Sequence, residues 1–182
     1  MIHHVRIPQD RIGVLIGNKG LVKSDIEKKS GSTITVDSIE GVVQIEGVVG
    51  GDPLKTLRVA EMVKAIGRGF SPENAFVLLY DDLLLFEVIS LSHLTPKTLN
   101  RVKGRVIGRN GKTRLVIENL AEVKISVYGK TISLIGYSHN IKAAYDAISM
   151  LIQGSPHSAV YSSLDRKRRA EEEEQEQEQA EW

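Results

Sequence analysis

Cysteine is absent from this 182-residue chain, which excludes disulfides and zinc sites built on thiolates. The 5 histidines form no helical His-x-x-x-His pair and have no carboxylate cluster beside them, so a histidine metal site is not expected. No apolar run approaches the ~20 residues that cross a bilayer, and the N-terminus lacks the apolar core of a signal peptide. We therefore expect a cytoplasmic protein with no membrane segment, no metal and no cofactor.

Charge is divided unevenly along the chain, although the formal net charge is only +1. Residues 165–182, the charged tail, carry 4 basic and 8 acidic side chains, which leaves 20 basic and 15 acidic ones in the rest of the chain. A basic body of this kind favours a polyanionic partner. The low-complexity tail is predicted to be disordered or to form a frayed helical extension, where it could compete with the polyanion or dock a partner.

The chain contains an internal repeat. Residues 15–36 align without gaps on residues 106–127, at a constant offset of 91 residues. The identical pairs are Ile16/Ile107, Gly17/Gly108, Gly20/Gly111, Ile26/Ile117, Glu27/Glu118, Ile34/Ile125 and Val36/Val127. An offset this constant predicts the duplication of a whole domain.

Local signals predict the same order of elements in each copy: strand, helix, helix, strand, strand, helix. In the first copy, Asp10 starts a short helix that ends at Ile16, and Gly31 ends the second helix. In the second copy, we expect the first strand over residues 83–90 and the second helix over residues 112–119. The predicted divisions are a first domain at 1–69, a linker with a short helix at 70–81, a second domain at 82–158 and a charged C-terminal extension at 159–182.

A Gly-Lys-Thr ending in residues 104–113 (GRVIGRNGKT) suggests a loop for a nucleoside triphosphate. That loop needs a glycine five positions before Gly111, because its amides must wrap the phosphates, and Val106 stands there instead. The first copy has Gly20-Leu21-Val22 where Gly-Lys-Ser/Thr would be needed. The spacing therefore argues against triphosphate hydrolysis.

The two copies share a different signature, in which an isoleucine precedes Gly-x-x-Gly between two short helices. It reads Gly17-Asn18-Lys19-Gly20 in the first copy and Gly108-Arg109-Asn110-Gly111 in the second. The glycines permit a sharp turn and close approach of a ligand, and the helix N-terminus that follows favours an anion. With the six-element order, this signature resembles the KH domain of the first topology. The resemblance implies an α+β fold with two KH domains, each a three-stranded sheet with helices on one face.

The resemblance implies that each loop holds the sugar-phosphate backbone of ~4 single-stranded nucleotides beside a groove for the bases. Groove or core residues in this picture are Ile12, Ile16, Leu21 and Val36 in the first copy and Val106, Ile107, Val116 and Ile125 in the second. Residues 97–114 hold 7 basic side chains and no acidic one, so the second copy is expected to dominate RNA affinity. The predicted RNA-binding residues are Ile16, Gly17, Asn18, Lys19, Gly20, Lys103, Arg105, Ile107, Gly108, Arg109, Asn110, Gly111, Lys112 and Arg114.

A tandem of two such domains with a charged tail resembles the archaeal relatives of the eukaryotic KH proteins that accompany the Nob endonuclease in small-subunit ribosome maturation. The resemblance covers roughly residues 2–164. It implies binding of single-stranded rRNA or pre-rRNA at the 3′ end region of small-subunit rRNA. Implied partners are a Nob-type endonuclease, the rRNA adenosine dimethylase and a translation initiation factor alpha subunit. Eukaryotic relatives have a degenerate first loop, whereas the first loop is intact here, so the first copy binds either RNA or a protein.

Two other functions remain open from the sequence. One is a general RNA-decay or translation-regulating RNA-binding protein. The other is an enzyme in which Asp81, Asp82 and Glu87 form a metal or acid-base cluster near the basic run, although carboxylates at such a junction more often serve in turns. We expect no enzyme activity and no small-molecule substrate.

Overall fold

A computed structural model describes residues 1–180 of the chain. The first domain begins with one strand and two short helices, continues with a hairpin and ends with a long helix. Its elements are β1 (Ile2–Arg6), α1 (Gln9–Ile16), α2 (Leu21–Ser30), β2 (Ser32–Asp37), β3 (Val42–Gly47) and α3 (Pro53–Gly67). Two short helices follow, α4 (Pro72–Ala75) and α5 (Val77–Tyr80).

The second domain repeats the order of the first and adds one helix. Its elements are β4 (Leu85–Ser90), α6 (Pro96–Ile107), α7 (Lys112–Ala121), β5 (Lys124–Tyr128), β6 (Thr131–Gly136), α8 (Ser138–Gln153) and α9 (His157–Ala180). The strand orders, β1-β3-β2 and β4-β6-β5, are the same, and all pairs are antiparallel. The α+β fold and the strand-helix-helix-strand-strand-helix order are therefore confirmed in both copies.

Side-chain caps carried by the sequence stand at the starts of α3, α4 and α6. Asp52 accepts a hydrogen bond from the Leu54 amide, and Pro53 occupies the first position of α3. The end of α7 differs from the prediction, because the helix continues two residues past 119. It stops where Glu122 takes a left-handed conformation (φ 55°), at the position that Gly31 holds in the first copy.

The outer face of the second sheet packs against the first domain. Phe86 of β4 and Ile135 of β6 join the first hydrophobic core, and Phe86 meets Phe70 edge-on with ring centroids 6.4 Å apart. Beside them, the Ser126 hydroxyl donates to the Arg68 carbonyl at 2.9 Å. The second sheet is therefore covered on both faces, and the two domains share an apolar interface.

Arg58 ties the first domain to the chain that enters β4. Its side chain is 7% exposed and donates to the backbone carbonyls of Leu84, at 2.9 Å, and Asp82. It also pairs with Glu61 at 2.8 Å. These contacts satisfy the terminal nitrogens of the buried guanidinium, leave Arg58 Nε without a hydrogen-bond partner, and fix the junction after α5.

The C-terminal helix α9 packs on the second domain through its first two turns. Val160 and Leu164 are buried in the second core, and Lys167 pairs with Asp146 of α8 at 2.8 Å. Of the two states predicted for the tail, the structure has the helical one through Ala180. Residues 181 and 182 of the predicted extension lie outside the described part of the chain. Within the described part, no helix combines the length and apolar character needed to cross a membrane.

Candidate nucleic-acid interface

The two Gly-x-x-Gly loops have nearly the same backbone. In the first loop, Gly17 has φ 75° and ψ 177°, and Lys19 has φ 52° and ψ 29°. In the second, Gly108 has φ 72° and ψ 178°, and Asn110 has φ 54° and ψ 29°. Each loop forms one 3-10 turn, Asn18–Gly20 or Arg109–Gly111, between two α-helices. The two copies therefore match in the backbone conformation of individual loop residues as well as in sequence.

The two glycines of each loop have different structural roles. A Cβ on Gly17 would collide with Val22, and one on Gly108 would collide with Thr113, so the first glycine is required by packing inside the domain. The second glycines, Gly20 and Gly111, are left-handed but have open space around them, the nearest atom being 4.0 Å from a Cβ on Gly111. The space beside the second glycine is thus free for the backbone of a ligand.

The helices that follow the loops begin without a side-chain cap. Gly20 and Gly111 precede α2 and α7, and neither helix start is capped by a side-chain hydrogen bond. Uncapped amides at a helix N-terminus carry a partial positive charge and are suited to bind phosphate oxygens.

A repeated glutamate shapes the strand edge that faces each loop. Glu27 accepts from the Ile34 amide of β2 at 2.8 Å, and Glu118 accepts from the Ile125 amide of β5 at 2.9 Å. Both amides therefore point away from the rest of the sheet. The direction of the backbone amide and carbonyl alternates from one residue to the next along a strand. The backbone groups of Val36, two residues after Ile34, and of Val127, two residues after Ile125, therefore also point outward. They can hydrogen-bond the edge of an unpaired base.

The apolar residues predicted for the groove divide into two groups. Ile12, Val106 and Ile125 are at most 6% exposed and belong to the domain cores, so of the two predicted roles, groove or core, they have the core one. Their side chains point inward because α1, α6 and β5 each need an apolar face against α3 or α8. The others keep accessible surface: Ile16, Leu21, Val36, Ile107 and Val116.

The basic residues of the second copy surround its loop, with one exception. Arg109, Asn110 and Lys112 are exposed, and Lys103, Arg114 and the glycines are partly exposed. Arg105 instead donates to the carbonyls of Leu151, at 2.8 Å, and Ser155. The guanidinium of Arg105 therefore caps the end of α8, while Arg105 also lines a cleft beside the loop, and its contact with RNA stays a prediction.

The first copy leaves fewer free charges near its loop. Asn18 and Lys19 are exposed at the tip. Lys23, however, pairs with Glu27 at 3.1 Å, and Arg11 donates to the carbonyls of Ile66 and Phe70 at 2.8 and 2.7 Å. When the basic side chains that are bound within the protein are left out, the second loop exceeds the first in free basic residues by more than the sequence predicts.

The carboxylates considered for an enzyme are engaged elsewhere. Asp81 accepts from the Tyr137 hydroxyl at 2.5 Å and from the Leu83 amide at 2.9 Å, and these hydrogen bonds lower the pKa of Asp81. The carboxylate of Asp82 lies 3.8 Å from Arg58, and Glu87 is exposed on β4. Within residues 1–180, no three His, Cys, Asp or Glu side chains come together as a metal site.

Sequence reasoning missed two aromatic residues beside the second loop. His157 and Tyr161 lie on α9, and the Tyr161 hydroxyl donates to Thr113 at 3.1 Å. Their contact with the loop depends on the direction of α9, which the sequence does not encode locally. The sequence does carry a signal for the start of this helix: Ser155-Pro156 precede His157, just as Ser71-Pro72 stand at the start of α4.

The element order, the sheet order and the paired loops define a tandem of KH domains of the first topology, a class that binds single-stranded nucleic acid. Family profiles agree, since "KH domain" matches residues 2–58 and "Eukaryotic type KH-domain (KH-domain type I)" matches residues 85–169. A KH domain-containing protein of Methanocaldococcus jannaschii is 42% identical over 171 residues, which cover 92% of this chain and 74% of that protein. The chain therefore belongs to the Dim2/PNO1 family of KH proteins.

Solved structures and eukaryotic relatives support the same family. Dim2p of Pyrococcus horikoshii is 46% identical with a TM-score of 0.86, covering 91% of this chain and 99% of that one. An a/eIF2alpha-aDim2p-rRNA complex from that organism matches at 45% identity and a TM-score of 0.88, covering 93% of this chain and 95% of that one. The RNA-binding protein pno1 of Dictyostelium discoideum is 39% identical over 110 residues, 59% of this chain and 46% of that protein. Relatives in Coccidioides immitis and Schizosaccharomyces pombe are pre-rRNA-processing proteins.

Proposed function

We propose that this chain binds single-stranded rRNA or its precursor at the 3′ end region of small-subunit rRNA, mainly through the loop of its second domain. RNA binding in rRNA processing is the function of its family. The observation that carries the assignment to the second loop is its setting. The start of α7 is uncapped, Arg109 and Lys112 beside it are exposed, and the hydrogen bond from the Ile125 amide to Glu118 leaves the amide of residue 127 directed outward from the edge strand β5.

The direct test places negative charge where phosphate is expected. Changing Arg109 and Asn110 together to Asp should weaken binding of a single-stranded 3′-terminal rRNA fragment at least about ten-fold, because charge reversal removes phosphate contacts and adds repulsion. Asp tolerates the left-handed conformation of residue 110, so the fold should be kept. Fluorescence anisotropy at several salt concentrations measures both affinity and salt slope. The wild type should give a slope near about −2.8 if ~4 phosphates are neutralised.

A matched pair of changes in the first loop provides the comparison. Asn18 and Lys19 stand at the same loop positions and can also be changed to Asp. A smaller loss than in the second loop supports dominance of the second copy. An affinity within two-fold of wild type after the change at Arg109 and Asn110 would refute the proposal.

We further propose that the chain is not itself an enzyme but a cytoplasmic binding protein that positions rRNA for others. The complex from Pyrococcus horikoshii contains a/eIF2alpha together with aDim2p and rRNA. On this basis, the alpha subunit of the initiation factor is a proposed partner of the present chain. The Nob-type endonuclease and the dimethylase are proposed partners by family resemblance alone. The purified protein with Mg²⁺ and labelled rRNA should give no cleavage. Cleavage that disappears on changing Asp82 to Asn would instead establish an enzyme.

A further inference from the structure

A cleft of about 450 Å³ lies between α6 and α9, next to the second Gly-x-x-Gly loop. One wall is formed by Asn100, Arg101 and Gly104 of α6, and the other by His157 and Tyr161 of α9. No residue of β5 lines the cleft, so it is separate from the groove between the loop and that strand.

The charges around the cleft are of one sign. Arg101, Arg109 and Lys112 line its rim and are exposed, and none of its lining residues is acidic. None of these three side chains forms an ion pair with a residue of the described chain 1–180. An unneutralised group of cations at the mouth of a cleft favours an anionic ligand.

The aromatic wall is held in place by its polar edges. His157 Nε2 lies 3.0 Å from the Arg105 carbonyl, which can only accept, so this nitrogen donates. The Tyr161 hydroxyl is bound to Thr113, and the two rings, one helical turn apart, meet at 61° with centroids 6.2 Å apart. Rings fixed in this way can stack on a base without losing further side-chain freedom.

Gly104 keeps the cleft open. It lies in the interior of α6, where glycine destabilises a helix, yet a Cβ at this position would meet no atom within 4 Å. Packing inside the chain therefore gives no reason for a glycine here. The same holds for Gly13, its match 91 residues earlier, which has no α9 opposite it.

We propose that this cleft binds one further nucleotide of the RNA strand, beyond those in the groove. The base stacks on the Tyr161 ring, which His157 meets edge-on, the ribose passes over Gly104, and Arg101 and Lys112 contact the phosphate. The site extends the strand that crosses the Gly108–Gly111 loop, so this inference rests on the proposed function.

Oligoadenylates of four and six nucleotides test the extra site, with affinity measured by fluorescence anisotropy on the full chain. The wild type should bind the six-mer more than about ten-fold tighter than the four-mer, as expected for one additional stacked base. Gly104→Gln fills the cleft. The ratio should then fall to about three-fold, because a six-mer offers three positions to a site that holds four nucleotides. Tyr161→Ala should have the same effect, whereas Tyr161→Phe should keep the wild-type ratio.

Two controls separate the possible failures. Gly13→Gln makes the same change in the first copy and should leave the ratio unchanged. A melting temperature at or above that of wild type shows that Gly104→Gln folds, because it replaces a helical glycine. A wild-type ratio in both Gly104→Gln and Tyr161→Ala overturns the inference and leaves the proposed function intact. If changing Arg109 and Asn110 to Asp leaves binding of both lengths unaltered, the proposed function fails, and the inference fails with it.

Discussion

Glu122 carries backbone strain that its counterpart in the first copy avoids. Its left-handed conformation ends α7 at the position where Gly31, with φ 70°, ends α2. A residue with a Cβ pays roughly 1–2 kcal/mol for this conformation, whereas glycine does not. The Glu122 side chain makes no hydrogen bond or ion pair within the described residues, so nothing in the structure offsets the strain.

Replacing Glu122 with Gly is therefore expected to stabilise the protein. Relief of the strain outweighs the added freedom of the unfolded chain, so the free energy of unfolding should rise by about 0.5–1 kcal/mol. Urea denaturation followed by circular dichroism measures the change. Gly31→Glu is the reciprocal variant and should destabilise by a similar amount. A lower urea midpoint for Glu122→Gly would contradict the strain argument.

Prediction from sequence worked for the loops at the level of single residues, because glycine spacing reports backbone conformation directly. It did not predict which groups the Arg105 side chain, within the basic run, would bind. Its side chain turns to carbonyls 46 and 50 residues later, at the end of α8. Charge along a sequence shows how many cations are present, but the helix face each occupies decides which ones remain free.

At the scale of elements, the repeat explains more than the glycines. The paired Glu27 and Glu118 looked like ordinary matches, yet each one accepts a hydrogen bond from an outward amide of its edge strand. An edge strand with unpaired amides invites pairing with another chain. The glutamate occupies one amide and leaves the next for a ligand, so the same residue protects the strand and defines where a base can bind.

Element boundaries were less predictable than element types. The strand expected from residue 83 begins at Leu85, because the Leu83 amide turns back to the Asp81 carboxylate at 2.9 Å. The helical state of α9 likewise depends on Val160 and Leu164 entering the second core. The start of β4 is thus set by a local turn at Asp81, whereas the helical state of α9 is set by tertiary contacts.

At the scale of the whole molecule, the two sheets differ in what covers their outer faces. In the first sheet, one row across the strands reads Ile2, Glu46 and Thr33, and all three residues are exposed. The matching row of the second sheet reads Phe86, Ile135 and Lys124, and Ile135 is only 2% exposed because the first domain covers it. Duplication thus gave two similar domains, and apolar residues on one outer face joined them into a single unit.

This arrangement predicts one cooperative unfolding transition for the wild-type protein, with equal calorimetric and van't Hoff enthalpies. Ile135→Glu gives the second sheet the residue that the first sheet carries at the matched position. An unpaired carboxylate would then be buried between the domains, which should destabilise the protein by at least about 3 kcal/mol or split the transition into two. Glu46→Ile is the matched control, and it should leave the number of transitions unchanged because its side chain is exposed. Differential scanning calorimetry distinguishes the outcomes, and a single transition at the wild-type temperature for Ile135→Glu would show that the interface does not couple the domains.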